Sequence, residues 1–281
     1  MKISLIINTY NRPDFLEKSL LSLSVQNAAL HELIISDDGS KEDLLAVISK
    51  YAHLFNCSIK YITQSDSGFR LARCRNNAAR IATGDFLFFL DQDLIYTKNF
   101  LNTMIKNIKK NYFLVAWPIR TSELQKNEIT FDHIKSESFL KILTNKQIKR
   151  VKKQFFKDLY SRIMYALKLQ KYGTKFRGGL AGIFKDDYIK INGYDEKYIG
   201  WGNEDDDFGR RLYLSGIKGI NPFYKNFPIH LWHPENHAQG ERVNKNYHKS
   251  KSKLISKTNY SCEFGYNNSL GDDIPSVTVL K

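Results

Sequence analysis

The chain is short of acid, of cysteine and of long apolar runs, and each shortage removes a class of protein. Cys57, Cys74 and Cys262 are scattered through 281 residues with no metal-binding spacing. They suit a reducing compartment and suggest neither a disulfide framework nor a zinc site. No apolar stretch approaches the roughly 18 residues that a membrane span needs. The opening run Met1-Lys2-Ile3-Ser4-Leu5-Ile6-Ile7 is too short for a signal peptide and ends at polar Asn8. The expected location is the cytoplasm. Zinc-finger spacing, a helix-turn-helix signal and an RNA-binding aromatic motif are all missing. There is no glycine-rich phosphate loop either, so a bound phosphate group would need metal and arginine in place of a backbone cradle. Asp and Glu number 29 against 43 Lys and Arg, a net charge of +14. That balance attracts nucleic acid, anionic lipid or a phosphorylated substrate, and charge alone does not choose among them.

What is present suffices for a large core: 42% of residues are hydrophobic and 13% aromatic. One large domain or two joined ones is expected. Residues 2–118 alternate strand and helix. Strands are read at Lys2–Asn8, Glu32–Ser36, Ser58–Thr63, Asp85–Leu90 and Phe113–Trp117. Helices are read from Pro13, around Leu44–Tyr51, over Leu71–Ile81 and around Leu101–Ile108. The alternation predicts an α/β fold with a mainly parallel, Rossmann-like sheet flanked by helices. Three strands end in polar tips: Asn8-Thr9-Tyr10-Asn11-Arg12, Asp37-Asp38-Gly39-Ser40 and Asp91-Gln92-Asp93. In a parallel sheet such tips share one edge and can line a single crevice. Asp91 and Asp93, at the end of the apolar run Phe86–Leu90, can hold a hard divalent cation, which in turn can hold a diphosphate. A solvated acidic turn is the plainer alternative. Arg70, Arg73, Arg75 and Arg80 crowd the helix ahead of that strand, either as a solvated basic face or as a site, with Arg75-Asn76 the pair favoured for function.

The pattern changes after residue 118. Residues 135–177 carry many Lys and Arg but only Glu137 and Asp158 as acids. Phe139, Leu140, Leu143, Ile148, Val151, Phe155, Leu159, Ile163 and Leu167 recur at helical spacing. One account is an amphipathic insertion packed on the core with its lysines in water. The other is a surface for anionic lipid or a phosphate-bearing acceptor. Beyond it stand Arg177-Gly178-Gly179, Asn192-Gly193-Tyr194 and Gly200-Trp201-Gly202-Asn203-Glu204-Asp205-Asp206-Asp207. Acids opening a helix complement its dipole, which accounts for Asp206 and Asp207. It does not account for a Trp between glycines, where an indole offers a flat platform to a sugar face and a neighbouring carboxylate can take a hydroxyl proton. His230 and His233 follow near a strand end. Residues three apart on a straight strand face opposite ways, so both reach one ion only if the chain bends there. Imidazole with carboxylate suits Mn²⁺ better than Ca²⁺.

On these residues the chain resembles a known family. Residues 2–118 resemble the nucleotide-sugar half of family 2 glycosyltransferases with the GT-A fold, with Asp91-Gln92-Asp93 as the DxD motif. Residues 178–233 resemble the galactosyltransferase-type half of β-1,4-galactosyltransferases and bacterial chondroitin-type polymerases, Asn203 standing where that family more often has glycine. The resemblance implies a nucleotide-sugar-binding half at 1–118 and an acceptor-binding and catalytic half at 178–237; it does not cover the basic helical insertion read at 119–177 or the C-terminal arm read at 238–281. It implies that Asn8, Tyr10, Arg12, Asp38, Arg75 and Asp91 line a UDP-sugar donor, with Tyr10 and Asp38 on uracil. Asp93, His233 and His230 would hold Mn²⁺ or Mg²⁺. Asp205 would be the catalytic base, and Trp201, Gly202, Glu204, Asp206 and Gly179 would hold a glycan or lipid-linked acceptor. The expected activity is inverting transfer of galactose or N-acetylgalactosamine onto a lipopolysaccharide or capsule acceptor, with peripheral contact at the inner face of an anionic membrane. The rivals are another nucleotide-sugar donor on the same fold, or a basic non-catalytic protein for nucleic acid or membrane. Acids clustered at strand ends would repel a nucleic acid backbone, so no nucleic acid partner is expected.

Overall fold

A computed structural model describes residues 1–234 and 243–281. In chain order the strands are β1 (Ile3–Thr9), β2 (Glu32–Asp37), β3 (Ser58–Thr63), β4 (Phe86–Asp91), β5 (Leu94–Ile95), β6 (Tyr112–Val115), β7 (Ile119–Arg120), β8 (Leu180–Phe184), β9 (Lys218–Ile220), β10 (Ile229–His230) and β11 (Ser276–Val279). The helices are α1 (Pro13–Ser24), α2 (Leu44–Ala52), α3 (Leu71–Ile81), α4 (Phe100–Lys106), α5 (Glu123–Glu128), α6 (Phe131–Ser136), α7 (Asn145–Ala166), α8 (Lys185–Lys190), α9 (Glu204–Leu214) and α10 (Lys245–Leu254).

The β4 run explains the layering. Its side chains alternate between two cores, Phe86, Phe88 and Leu90 in one and Leu87 and Phe89 in the other. A strand buried on both faces needs helices on both faces, and the sheet is mixed but parallel at its centre. Among the described residues its order is β11-β3-β2-β1-β4-β8-β6-β9. β3, β2, β1 and β4 are parallel, while β8 enters antiparallel between β4 and β6. Burying each Phe of β4 stabilises the fold by about 1.5–3 kcal/mol. An aspartate at Phe88, 1% exposed, would undo the layer.

A second, smaller sheet lies at the end of β4. Its order is β5-β10-β7, with β10 antiparallel to β5 and parallel to β7. β5 begins one residue after Asp93, and His230 pairs with Leu94. This sheet ties the end of β4 to a segment 140 residues later.

The polar tips expected to share an edge are joined by backbone bonds. Asp38 N–H donates to Thr9 O (3.0 Å), Gln92 N–H to Asn8 O (3.2 Å) and Asp91 N–H to Gly179 O (3.0 Å). Two expectations need correction. Arg73 is buried rather than solvated, and Arg73 and Arg80 donate to carbonyls of residues 265–273. The apolar positions of α7 are not one buried face: Val151 is buried, but Ile163 and Leu167 are exposed, as is Leu140 ahead of the helix. Residues 235–242, which include the boundary drawn at 237, lie outside the described residues.

Candidate active site

Asp93 stands at the centre of one cluster. His233 Nε2 lies 3.0 Å and His230 Nε2 3.3 Å from Asp93 Oδ2. The bend required by the sequence is there: β10 ends at His230, and the Leu231 N–H donates to Asp93 O (2.9 Å). Among the described residues these three form a group whose ligand atoms all lie within 4.8 Å of one another. His233 Nδ1 lies 2.9 Å from Pro234 O, a bond only an N–H can make, so neutral His233 turns a lone pair toward Asp93. Two lone pairs then face each other unless a proton or a cation lies between them. The buried Asp93 Oδ1 has no hydrogen-bond partner among the described residues. Burial alone would push the Asp93 carboxyl up, but the bonds to His230 and His233 outweigh it and hold the group well below the usual carboxylate range. The same bond to Asp93 pushes His233 up. An acidic oxygen without a partner beside two imidazoles fits a divalent cation of the manganese type.

Asp205 is the centre of a second cluster. It lies in the first turn of α9, and its carboxylate accepts Gly178 N–H (2.9 Å), Arg75 NH1 (3.1 Å) and Tyr194 OH (3.2 Å). These three donors fix the orientation of the carboxylate, and its side chain remains partly open to solvent. Gly178 and Gly179 allow this approach. A Cβ at Gly178 would collide with the Asp205 carboxylate, and one at Gly179 would come 2.5 Å from Asp91 Oδ2.

Arg75 joins the two clusters. It is fully buried, contacts Asp205 at one end of its guanidinium and Asp91 Oδ1 at the other (3.6 Å), and lies 4.8 Å over the Tyr194 ring. Its neighbour Asn76 serves the frame: it donates to Tyr194 O and Glu196 Oε1 (2.8 Å each) and accepts Tyr188 OH (2.5 Å).

Glu204 is buried beside Asp205, and its Oε2 has no partner among the described residues. Burial, then the Asp205 charge, pushes its carboxyl up to about 7. A carboxyl that keeps its proton near neutrality can donate a hydrogen bond. Trp201, 39% exposed, stands between Gly200 and Gly202, both at positive φ. Asn203 caps α9 at φ 74, a left-handed conformation that asparagine tolerates almost as glycine does, so the departure from the family keeps the backbone. Asp206 is turned to Lys175 (2.6 Å).

The remaining candidates lie along the strand tips. Asn8 is buried beside Asp91, its register partner on β4. Tyr10 O accepts Gln92 Nε2 (3.1 Å), and Tyr10 OH is 3.5 Å from Asp66. Arg12 occupies the left-handed residue ahead of α1, its guanidinium 5.9 Å over the Phe15 ring. Phe15 in turn meets the His233 ring edge-on at 6.0 Å. Asp38 accepts Arg70 N–H (2.7 Å) and Gln64 Nε2 (2.5 Å), yet burial pushes it up to about 6.

Sequence reasoning missed the support behind α9. Lys251 of α10 binds Asp207 (2.8 Å) and Asp195, Tyr247 OH binds Asp195 (2.7 Å), and Arg211 binds Asp207 (2.7 Å). Asn244 donates to Gly202 O (3.0 Å) and Gly200 O (3.3 Å), holding the turn that carries Trp201.

The comparisons agree with this architecture. Residues 4–167 match the model for glycosyl transferase family 2, and residues 159–249 match the model described as the N-terminal domain of galactosyltransferase. The chain is 29% identical to chondroitin synthase of Escherichia coli over 229 residues, 76% of this chain and 32% of that protein. It is 27% identical to validoxylamine A glucosyltransferase of Streptomyces hygroscopicus subsp. jinggangensis over 228 residues, 76% of this chain and 52% of that one. The chain thus spans about a third to a half of these curated relatives. Among solved structures, the mannosyltransferase PcManGT of Pyrobaculum calidifontis, in complex with GDP-Man and Mn²⁺, superposes with TM-score 0.59 at 14% identity, over 91% of this chain and 65% of that one. GalNAc-T7 with UDP, GalNAc and Mn²⁺ gives 0.57 at 17%, over 88% and 47%. At these identities the likeness is one of fold, the GT-A fold. With the family model covering more than half of its residues, the chain belongs to glycosyl transferase family 2.

Proposed function

We propose that the protein transfers a hexose, with galactose or N-acetylgalactosamine favoured, from a UDP-sugar to a hydroxyl of a bacterial surface glycan such as lipopolysaccharide or capsule. The observation that carries this reading is Arg75, which bridges the acidic strand tip at Asp91 and the carboxylate of Asp205. Asp93, His230 and His233 would hold Mn²⁺ or Mg²⁺, which when bound supplies charge neutralisation to the donor diphosphate.

The chain's own residues account for the rest. Asp205 takes the proton of the acceptor hydroxyl. The freed oxygen attacks the anomeric carbon from the face opposite the diphosphate; the new glycosidic bond forms as the bond to the diphosphate breaks, and the configuration inverts. Gly178 holds Asp205 Oδ2 while Arg75 and Tyr194 hold Oδ1, which fixes the carboxylate in place with part of its side chain still open to solvent. Trp201 offers its ring to the sugar face, and Glu204 with its proton donates to an acceptor oxygen. Tyr10 and Asp38 lie toward the uracil end of the donor, with Asn8 and Arg12 along its length.

A panel of UDP- and GDP-sugars, scored for hydrolysis and transfer with Mn²⁺, tests the donor; turnover with a GDP-sugar alone rejects the UDP assignment. General-base assistance is worth roughly 10²–10⁴-fold, so Asp205→Asn should lose turnover on that scale while still binding UDP. Near-normal turnover removes Asp205 from the role. Calorimetry of UDP should show weaker binding after EDTA treatment; an affinity indifferent to EDTA refutes the metal site.

A further inference from the structure

The outer face of α7 is apolar where a helix packed on a core should be polar. Phe156, Tyr160 and Ile163, with Leu167 at the helix end, are between 46 and 60% exposed. Together with exposed Lys149 and Lys153 they follow the spacing four, three, four, three, four along one side of the helix. The inner side packs separately: Val151 is buried, and Asp158 is buried against Arg177 and Asn221. Tyr224, itself exposed, extends the patch: its ring lies 5.8 Å from Phe156 and 5.0 Å below the Lys152 ammonium. An open groove of about 430 Å³ runs there between Lys153, Phe156, Lys157, Tyr160, Ser161 and Gln170.

We propose that this face docks the protein onto an anionic phospholipid bilayer. Charge selects that occupant. Lys146, Lys149, Arg150, Lys153 and Lys157 are all exposed, and the helix's acid, Asp158, is buried and already paired. A second copy seated on the stripe would set these cations against their like, without the flanking acids that paired helices use. A nucleic acid would leave Ile163 and Leu167 without a role, since aliphatic side chains offer no stacking platform. Aromatic and aliphatic side chains rimmed by lysines do match a helix lying in the headgroup layer of an anionic membrane. Among the described residues no helix is long and apolar enough to cross a membrane, so contact through this face would be lateral. The inference does not depend on the donor or acceptor proposed above.

The test is co-sedimentation of the full chain with vesicles of phosphatidylcholine alone or mixed with phosphatidylglycerol. Binding should be roughly tenfold or more stronger on the anionic vesicles and should fall with added salt. Phe156→Ser with Tyr160→Ser and Ile163→Ser should abolish it with an unchanged thermal midpoint. Lys149→Glu with Lys153→Glu changes charge alone at exposed positions and should weaken it as well. Equal or absent binding to the two vesicle types overturns the proposal, as does undiminished binding by either variant. So does a dimer in solution that the serine variant turns monomeric, or an oligonucleotide bound more tightly than the vesicles through the same residues.

Discussion

Lys251→Met is the sharpest probe of how α9 is held. Lys251 reaches from α10 into a buried pocket with Asp195, Asp207 and Arg211. Removing one partner of a buried ion pair typically costs about 3–5 kcal/mol, because the charge left behind stays out of water. Here the loss is tempered. Asp207 keeps Arg211 at 2.7 Å, and Asp195 keeps the Tyr247 hydroxyl at 2.7 Å. The lower end of that range, about 3 kcal/mol, is therefore expected. Urea unfolding should show the midpoint falling with no change of slope. Adding Asp195→Asn to Lys251→Met should recover part of the loss, since it removes the stranded charge. A loss below about 0.5 kcal/mol, as at an ordinary surface site, would mean that the network does not stabilise the fold.

Two further perturbations bear on the proposed acceptor side. Glu204 titrates near 7 when folded and near 4.5 otherwise. Both states hold the proton below that lower value, and as pH rises the unfolded chain releases it first. The folded state thus loses stability between about pH 4.5 and 7, on the order of 3 kcal/mol at about 1.4 kcal/mol per pH unit. Glu204→Gln should flatten unfolding free energy against pH by that amount, and parallel curves for the two proteins would refute the buried proton. Asn244→Ala removes both donors to Gly200 and Gly202. Acceptor KM should rise roughly tenfold, as two lost hydrogen bonds allow, with donor hydrolysis unchanged; equal losses in both would make the defect a general one.

The β/α alternation was legible because β4 and its neighbours carry period-two and continuous apolar signals that local sequence displays directly. So were the candidate residues at the strand tips, since acids at the end of a buried strand stand out. The meeting of Asp93 and His233 was not derivable from spacing, because it depends on the two-residue strands β5 and β10, too short to announce themselves. Lys251 was hidden for a different reason. It lies in a run of lysines that reads as a solvated surface, and only the acids of a distant helix reveal that this one points inward. A lipid-facing role for the basic insertion was open from the sequence, but Phe156 and Tyr160 were not singled out for it, because helical spacing reports that apolar residues recur, not which of two faces each one joins.

Residues 276–279 lie along β3, and Leu280 and Lys281 continue the ladder to Ile59. Lys281 also bonds Phe55 O, across 226 positions of sequence. The sheet thus gains the outer partner of β3 only when residues 276–281 arrive. During synthesis the β3 margin stands bare, a row of unsatisfied amides open to any neighbouring extended chain. Deleting residues 276–281 would leave the proposed active site complete and the β3 edge open to self-association, so this protein's yield in cells should depend on a segment remote from its chemistry.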